Sequence, residues 1–246
     1  MRIQIPFEVE KEQLPLDYRM GVVSFIKEAL RRSDEQYLQK LYPSDSRSFK
    51  PFGFSVYLRG FNLQDDAIHT KGITVTVSSA DPTFILHLYN GALKIKKHSY
   101  KNHSWKRQRI RMLNEKKIRS DTVLFRTLSP LLIEKKDGTP VSPEDQITYE
   151  QEFNYYADLV VQQLFNRPLR RKIQVEPVAM KKVVVKESNH VFQKNATQHK
   201  YLFFTPYQGL LKLTGDQEDL TCIYQASIGR RRSQGFGLLE IEREGV

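Results

Sequence analysis

Met1-Arg2-Ile3-Gln4-Ile5-Pro6-Phe7-Glu8-Val9-Glu10, followed shortly by Asp17-Tyr18-Arg19-Met20-Gly21-Val22-Val23-Ser24-Phe25-Ile26-Lys27-Glu28-Ala29-Leu30-Arg31-Arg32, is the stretch on which the fold turns. In the first segment Ile3, Ile5, Phe7 and Val9 alternate with polar positions, the period of a half-buried strand. In the second, Met20, Val23, Ile26, Lys27 and Leu30 recur at helical spacing. Asp17 stands where an N-cap belongs, and bases close the C-terminal end, where the helix dipole favours them. Strand gives way to helix.

Outward from this pair, strand-like runs follow at Phe52 to Arg59 and Gly72 to Ser79. A helix opened by Asp81-Pro82 runs to about Leu93, and Trp105 to Leu113 reads as another strand. The order then recurs. Asp121 to Lys135 is extended, and Asp145 to Asn166 is a helix that Pro168 helps to close. Gln174 to Lys186 and His199 to Leu213 are strands, Gly215-Asp216 opens a short helix through Tyr224, and Phe236 to Arg243 is the last strand. Strand, helix, strand, strand, helix, strand is the split unit of ferredoxin-like folds, which include RNA-recognition modules. The expectation is an α+β protein of two tandem ferredoxin-like (RNA-recognition-motif-like) domains, residues 1–120 and 121–246.

A chain of 246 residues with 39% hydrophobic and 11% aromatic content can bury one large core or two small ones. No run approaches the roughly 18 apolar residues of a membrane span, and the first residues lack a signal-peptide core, so a cytoplasmic protein is expected. The lone Cys222 allows no internal disulfide and reads as a small apolar residue. The net charge of +11 points to a polyanionic partner. Between Lys94 and Arg119 lie eleven Lys or Arg residues and a single acid, Glu115. Lys94, Lys96, Lys97, Lys101, Lys106, Arg107 and Arg109 are interleaved there with Tyr100 and Trp105. Cations beside flat rings suit single-stranded or looped nucleic acid, and Trp105 is expected to stack on a base.

Near the end of the chain stands Ser227-Ile228-Gly229-Arg230-Arg231-Arg232-Ser233-Gln234-Gly235-Phe236-Gly237. A Walker loop would need Lys-Ser or Lys-Thr and a helix after its last glycine, whereas Leu238-Leu239-Glu240-Ile241 is strand-like. A dinucleotide fingerprint also needs a following helix. The remaining reading is a backbone reader for a longer polyanion, with Gly229, Arg230, Arg231, Arg232, Gly235, Phe236 and Gly237 as its contacts.

Three segments in register carry a resemblance: Phe49-Lys50-Pro51-Phe52-Gly53-Phe54-Ser55, Val123-Leu124-Phe125-Arg126-Thr127-Leu128-Ser129-Pro130-Leu131, and Gly229 to Gly237 with Leu238. Together they resemble the CRISPR-associated endoribonucleases that cut precursor CRISPR RNA within its repeats, the Cas-six family of the repeat-associated RNA-binding superfamily. The resemblance implies metal-independent cleavage, in which a ribose 2′-hydroxyl attacks the adjacent phosphate and leaves a 2′,3′-cyclic phosphate. It implies CRISPR repeat RNA as partner, and no cofactor or metal; the six histidines are scattered without ligand spacing. The family's usual histidine in the loop after the first helix is absent. Lys50 matches the family lysine, Tyr42 and Tyr37 are the candidate tyrosines, and Arg47 occupies the loop as an RNA contact. Ser227 stands where another glycine is common. A catalytically weak or inactive repeat-RNA-binding subunit of an interference complex is the alternative, and the chain is expected as a monomer or homodimer with other interference-complex subunits as further partners.

Overall fold

The computed structural model describes residues 1–45, 48–64, 67–187 and 202–245. Arg47 and the start of the strand expected from His199 lie outside the described residues. In the first half, β1 (Arg2–Val9) and the short β2 (Gln13–Pro15) precede α1 (Tyr18–Ser33) and α2 (Glu35–Leu41). Then come β3 (Phe52–Arg59), β4 (Asn62–Gln64), β5 (Ala67–His69), β6 (Gly72–Ser79), α3 (Pro82–Leu93), β7 (Lys97–Tyr100), β8 (His103–Arg107) and β9 (Arg111–Leu113). The main sheet has the order β3-β6-β1-β8-β7, with β9 also on β1, and the pairings are antiparallel.

The second half repeats the plan with β10 (Thr122–Thr127), α4 (Gln146–Phe165), β11 (Gln174–Lys182), the small β12 (Val185–Glu187) and β13 (Leu202–Phe204), β14 (Tyr207–Thr214), α5 (Gln217–Ala226) and β15 (Leu239–Glu244). Its sheet order, β11-β14-β10-β15, is the first sheet's arrangement copied: second, third, first, fourth strand. This is the expected ferredoxin-like double fold. In each half the inward positions meet the helices, as Ile3, Ile5 and Phe7 meet Phe25 and Ile26 in one core and Val123 and Phe125 meet Phe153 and Tyr224 in the other.

The expected strand from Trp105 to Leu113 is interrupted, because Arg107 spends its backbone N–H on the Lys96 carbonyl in a hairpin before β9 returns to β1. Trp105 is fully buried, its ring 5.9 Å from that of Phe7. It packs on Gly21, where a Cβ would stand 2.4 Å from the ring. It therefore has no face to offer a base, and the expected stacking residue is a core residue. Asp17 does not cap α1 with its side chain; it is buried and accepts from the Tyr100 hydroxyl (2.9 Å) and Lys101 Nζ (2.7 Å).

Arg2 joins the halves. From β1 its guanidinium donates to Ser78 Oγ (3.1 Å), Glu240 Oε2 (2.8 Å) and the carbonyls of Tyr224 and Leu239 (each 2.6 Å), and it lies 3.8 Å above the Tyr224 ring. Burial pulls its pKa down while the tyrosine and glutamate push it back up.

Candidate nucleic-acid interface and its lysine

The three segments that carry the resemblance meet at one seam. Ser129 Oγ accepts from the Leu238 N–H at 2.9 Å, the Leu238 carbonyl accepts from Leu128 N–H at 2.7 Å, and the Pro130 carbonyl accepts from Gly237 N–H at 2.9 Å. Thus Leu128 to Pro130 grips the exit of the glycine loop. Its other side rests on β3: a Cβ on Gly235 would lie 2.8 Å from the Phe54 ring, and one on Gly53 would lie 2.0 Å from Ser227 Oγ. Gly237, at φ +70°, lets the backbone pass the Ile228 carbonyl where a Cβ would sit 1.7 Å away.

The loop's residues are thereby turned inward. Gly229 abuts the Leu132 carbonyl, and Phe236 is fully buried against Phe204 with ring centroids 5.9 Å apart. Arg230 pairs with the buried Glu134 at 2.6 Å, and Arg231 donates to Gln234 and lies 4.3 Å above the Phe204 ring. Arg232 donates to the carbonyls of Ala226 (2.6 Å) and Lys50 (3.2 Å) and sits 4.5 Å above the Phe49 ring; burial lowers its pKa to about 10. Arg232 is a seam residue rather than a phosphate contact.

Ser227 carries the strain of this arrangement. It is buried at φ 68°, ψ 168°, and its Oγ has no hydrogen-bond partner among the described residues. Glycine adopts that backbone without cost and removes the unpaired hydroxyl. Ser227→Gly should therefore stabilise the protein by about 1 kcal/mol, a rise in Tm of roughly 2–4 °C by calorimetry. An unchanged or lowered Tm would show that the strain is relieved elsewhere.

Lys50, two residues before β3, donates from Nζ to Ser48 Oγ (2.8 Å) and the Ser48 carbonyl (3.0 Å). Its ammonium lies 4.4 Å from the centre of the Tyr42 ring, and Lys27 of α1 approaches the same ring at 4.4 Å. Burial, with Lys27 beside it, holds Lys50 below the ordinary lysine pKa. The Tyr42 hydroxyl is buried without a partner among the described residues, and burial pushes its pKa up. Tyr42 is a ring platform for two cations, not an accessible proton donor. Tyr37 is separate: its hydroxyl donates to Asp81 (3.2 Å), burial and that carboxylate raise its pKa, and its ring stacks on His87 at 4.4 Å. His87 Nδ1 meets Ser33 Oγ at 3.1 Å. A groove of about 630 Å³ is lined by Tyr37, Lys40, Ser48, Phe49 and Asp81 together with Phe165 of α4, while Lys50, Tyr42 and His87 stand outside its lining.

A second cleft of about 690 Å³ opens between the two main sheets. Tyr57 and Phe61 project into it, 67% and 59% exposed, with Arg19, Arg126 and Gln208. The signal for this cleft in the sequence is Tyr57, an aromatic ring at an outward position of β3 between Val56 and Leu58. In that window Lys94 is bonded to the Arg32 carbonyl, Lys97 to Glu10, Lys101 to Asp17, and Arg107 to the carbonyls of Leu93, Ile95 and Gln108. Lys96, Lys106 and Arg109 are exposed, and among the described residues their side chains make no hydrogen bond or ion pair, although the charge of Lys106 is felt by the Glu10 carboxylate. Among the described residues no three His, Cys, Asp or Glu side chains converge as a metal-ligand group, and no helix is long and apolar enough to cross a membrane.

The comparisons with known proteins agree with this construction. A Cas6-related gene product from Pyrococcus furiosus has the same fold, with a TM-score of 0.79 at 18% identity over 100% of this chain and 99% of that one. So does an RAMP protein described as binding different RNA substrates (TM-score 0.78, 16% identity, 99% and 100% covered) and a Cas6 product complex (TM-score 0.68, 14% identity, 98% and 100% covered). No curated protein matches the chain by sequence. A family model described as CRISPR associated protein Cas6, C-terminal, matches residues 113–241, more than half of the chain, including the glycine loop and the Leu128 to Pro130 clasp that holds it. This chain belongs to the Cas6 family of CRISPR-associated proteins.

Proposed function

We propose that this protein binds CRISPR repeat RNA and cleaves it within the repeat, using the RNA's own 2′-hydroxyl as nucleophile. The observation that carries the reading is the bond from Arg232 to the Lys50 carbonyl: the glycine loop and the strand that presents the lysine are one rigid piece. Unpaired nucleotides lie in the cleft on Tyr57 and Phe61, since exposed rings accept any base by stacking. The scissile phosphate sits beside Lys50, whose ammonium neutralises charge developing on the phosphorane, with Lys27 adding to the field. His87, the imidazole stacked on Tyr37, takes the place of the absent loop histidine and accepts the 2′-hydroxyl proton. The leaving 5′-oxygen takes its proton from water, so the products are a 2′,3′-cyclic phosphate and a 5′-hydroxyl.

A second reading has a specific observation behind it. Neither tyrosine is placed to protonate a leaving oxygen, because Tyr42 buries its hydroxyl and Tyr37 donates to Asp81. A chain without that acid holds repeat RNA uncut. Incubating labelled repeat RNA with the protein in EDTA separates the two. Cleavage that ends in a cyclic phosphate, and that disappears when the cleavage-site ribose is 2′-deoxy, is the expected outcome. Tight binding with intact RNA would favour the second reading.

A further inference from the structure

Among the described residues the first sheet ends at an open edge, for β7 pairs there only with β8. The Arg107 N–H to Lys96 carbonyl bond of 2.9 Å sets the phase of that ladder. Residues 96, 98 and 100 face β8, so the N–H and C=O groups of Lys97 and Ser99 point away from the sheet. Beside this edge runs α1, and between them lies a groove of about 700 Å³. Met20, Val23, Leu38 and Ile95 give it an apolar floor. Lys27, Arg31, Arg32 and Lys97 supply four cations against two carboxylates, Glu28 paired with both arginines and Glu10 with Lys97, so the rim keeps a positive excess. The strand is held firmly, since His98 is buried with its ring 5.5 Å from Phe25 and 5.9 Å from Trp105.

We propose that this groove receives an extended acidic segment of a partner protein, added to the first sheet as a strand beside β7. An edge strand next to a helix is the geometry by which sheets take up peptides: backbone groups supply affinity and the groove reads alternate side chains. The outward N–H and C=O groups of Lys97 and Ser99 repeat every two residues, the period of another strand. Side chains turned toward α1 meet the apolar floor, and the cations at its rim favour carboxylates, so apolar and acidic residues should alternate. The aliphatic floor argues against RNA, which needs ring faces; Tyr100, the ring at the groove, has its hydroxyl committed to Asp17. A second copy of this chain pairing edge to edge would bring together two basic segments, each with Lys96, Lys97 and Lys101, a like-charge contact.

The test uses the full chain and a fluorescein-labelled peptide of about eight alternating valine and glutamate residues. Alternating valine and lysine, and a single-stranded RNA, are the comparison probes. Anisotropy should show the acidic peptide binding, more weakly as salt rises, and the lysine peptide not binding. Hydrogen exchange at the Ser99 amide should slow when the acidic peptide is present. Ser99→Pro removes that outward donor without touching the ladder to β8, and should weaken peptide binding about tenfold. Arg31→Glu, at an exposed helix position that leaves the fold intact, should also weaken it several-fold. Equal peptide affinity in wild type and both variants, no peptide binding, or slowed Ser99 exchange with RNA but not with peptide would overturn the proposal.

Discussion

Arg2→Met should lower the Tm by about 10 °C. Methionine fills much of the volume but leaves the carbonyls of Tyr224 and Leu239, Ser78 Oγ and the Glu240 carboxylate without their shared donor. Removing one member of a buried, hydrogen-bonded charge group costs roughly 3–5 kcal/mol, and a domain of this size loses roughly 2–4 °C per kcal/mol. Arg2→Lys keeps the charge yet cannot reach four acceptors with one ammonium, so it should fall between. Calorimetry on the three proteins decides the matter. A fall of less than about 2 °C in Arg2→Met would show that the two halves are held by their other contacts.

Lys50→Ala should lower the single-turnover cleavage rate by about 10²- to 10³-fold while repeat RNA still binds, the magnitude for one charged donor at a developing oxyanion. His87→Ala should lower it by about 10²- to 10⁴-fold, as loss of a general base does. The pH dependence of wild type carries a sign. Burial and Lys27 disfavour the charged form of Lys50, so its pKa lies below the ordinary lysine value. Activity that requires the ammonium is present at neutral pH and is lost as pH rises through that lowered pKa. The alkaline limb should therefore begin before the ordinary lysine range and vanish in Lys50→Ala. A rate unchanged by Lys50→Ala would remove the lysine from the chemistry.

The sequence made the repeated order of strands and helices legible because each main segment has its own period. Ile3, Ile5 and Phe7 alternate, and α4 is bracketed by Asp145, which accepts from Thr148 N–H, and by Asn166 at φ 53°. The hairpin of β7 and β8 was not legible, since a dense run of lysines and arginines masks the alternation. Yet Ser104-Trp105-Lys106 places the tryptophan on the opposite face from its neighbours, which in a one-sided sheet is the core. The roles of the loop residues were hidden for another reason. Glycine and arginine suit a phosphate and suit a tight protein seam equally well, and only tertiary contacts such as Arg232 with Lys50 tell the two apart. His87 and Tyr37 are fifty positions apart in sequence, so nothing local announces that their rings stack.

The contact between Gly53 and Ser227 ties the histories of two distant positions together. A methyl group at residue 53 would collide with both Oγ and Cβ of Ser227, at 2.0 and 2.6 Å, while the next atom, the Arg232 carbonyl oxygen, stands off at 3.5 Å. With glycine at 227 that obstruction is gone. Alanine at 53 is thus forbidden or tolerated according to what residue 227 already is, and a lineage can reach the pair in one order only: 227 must change first.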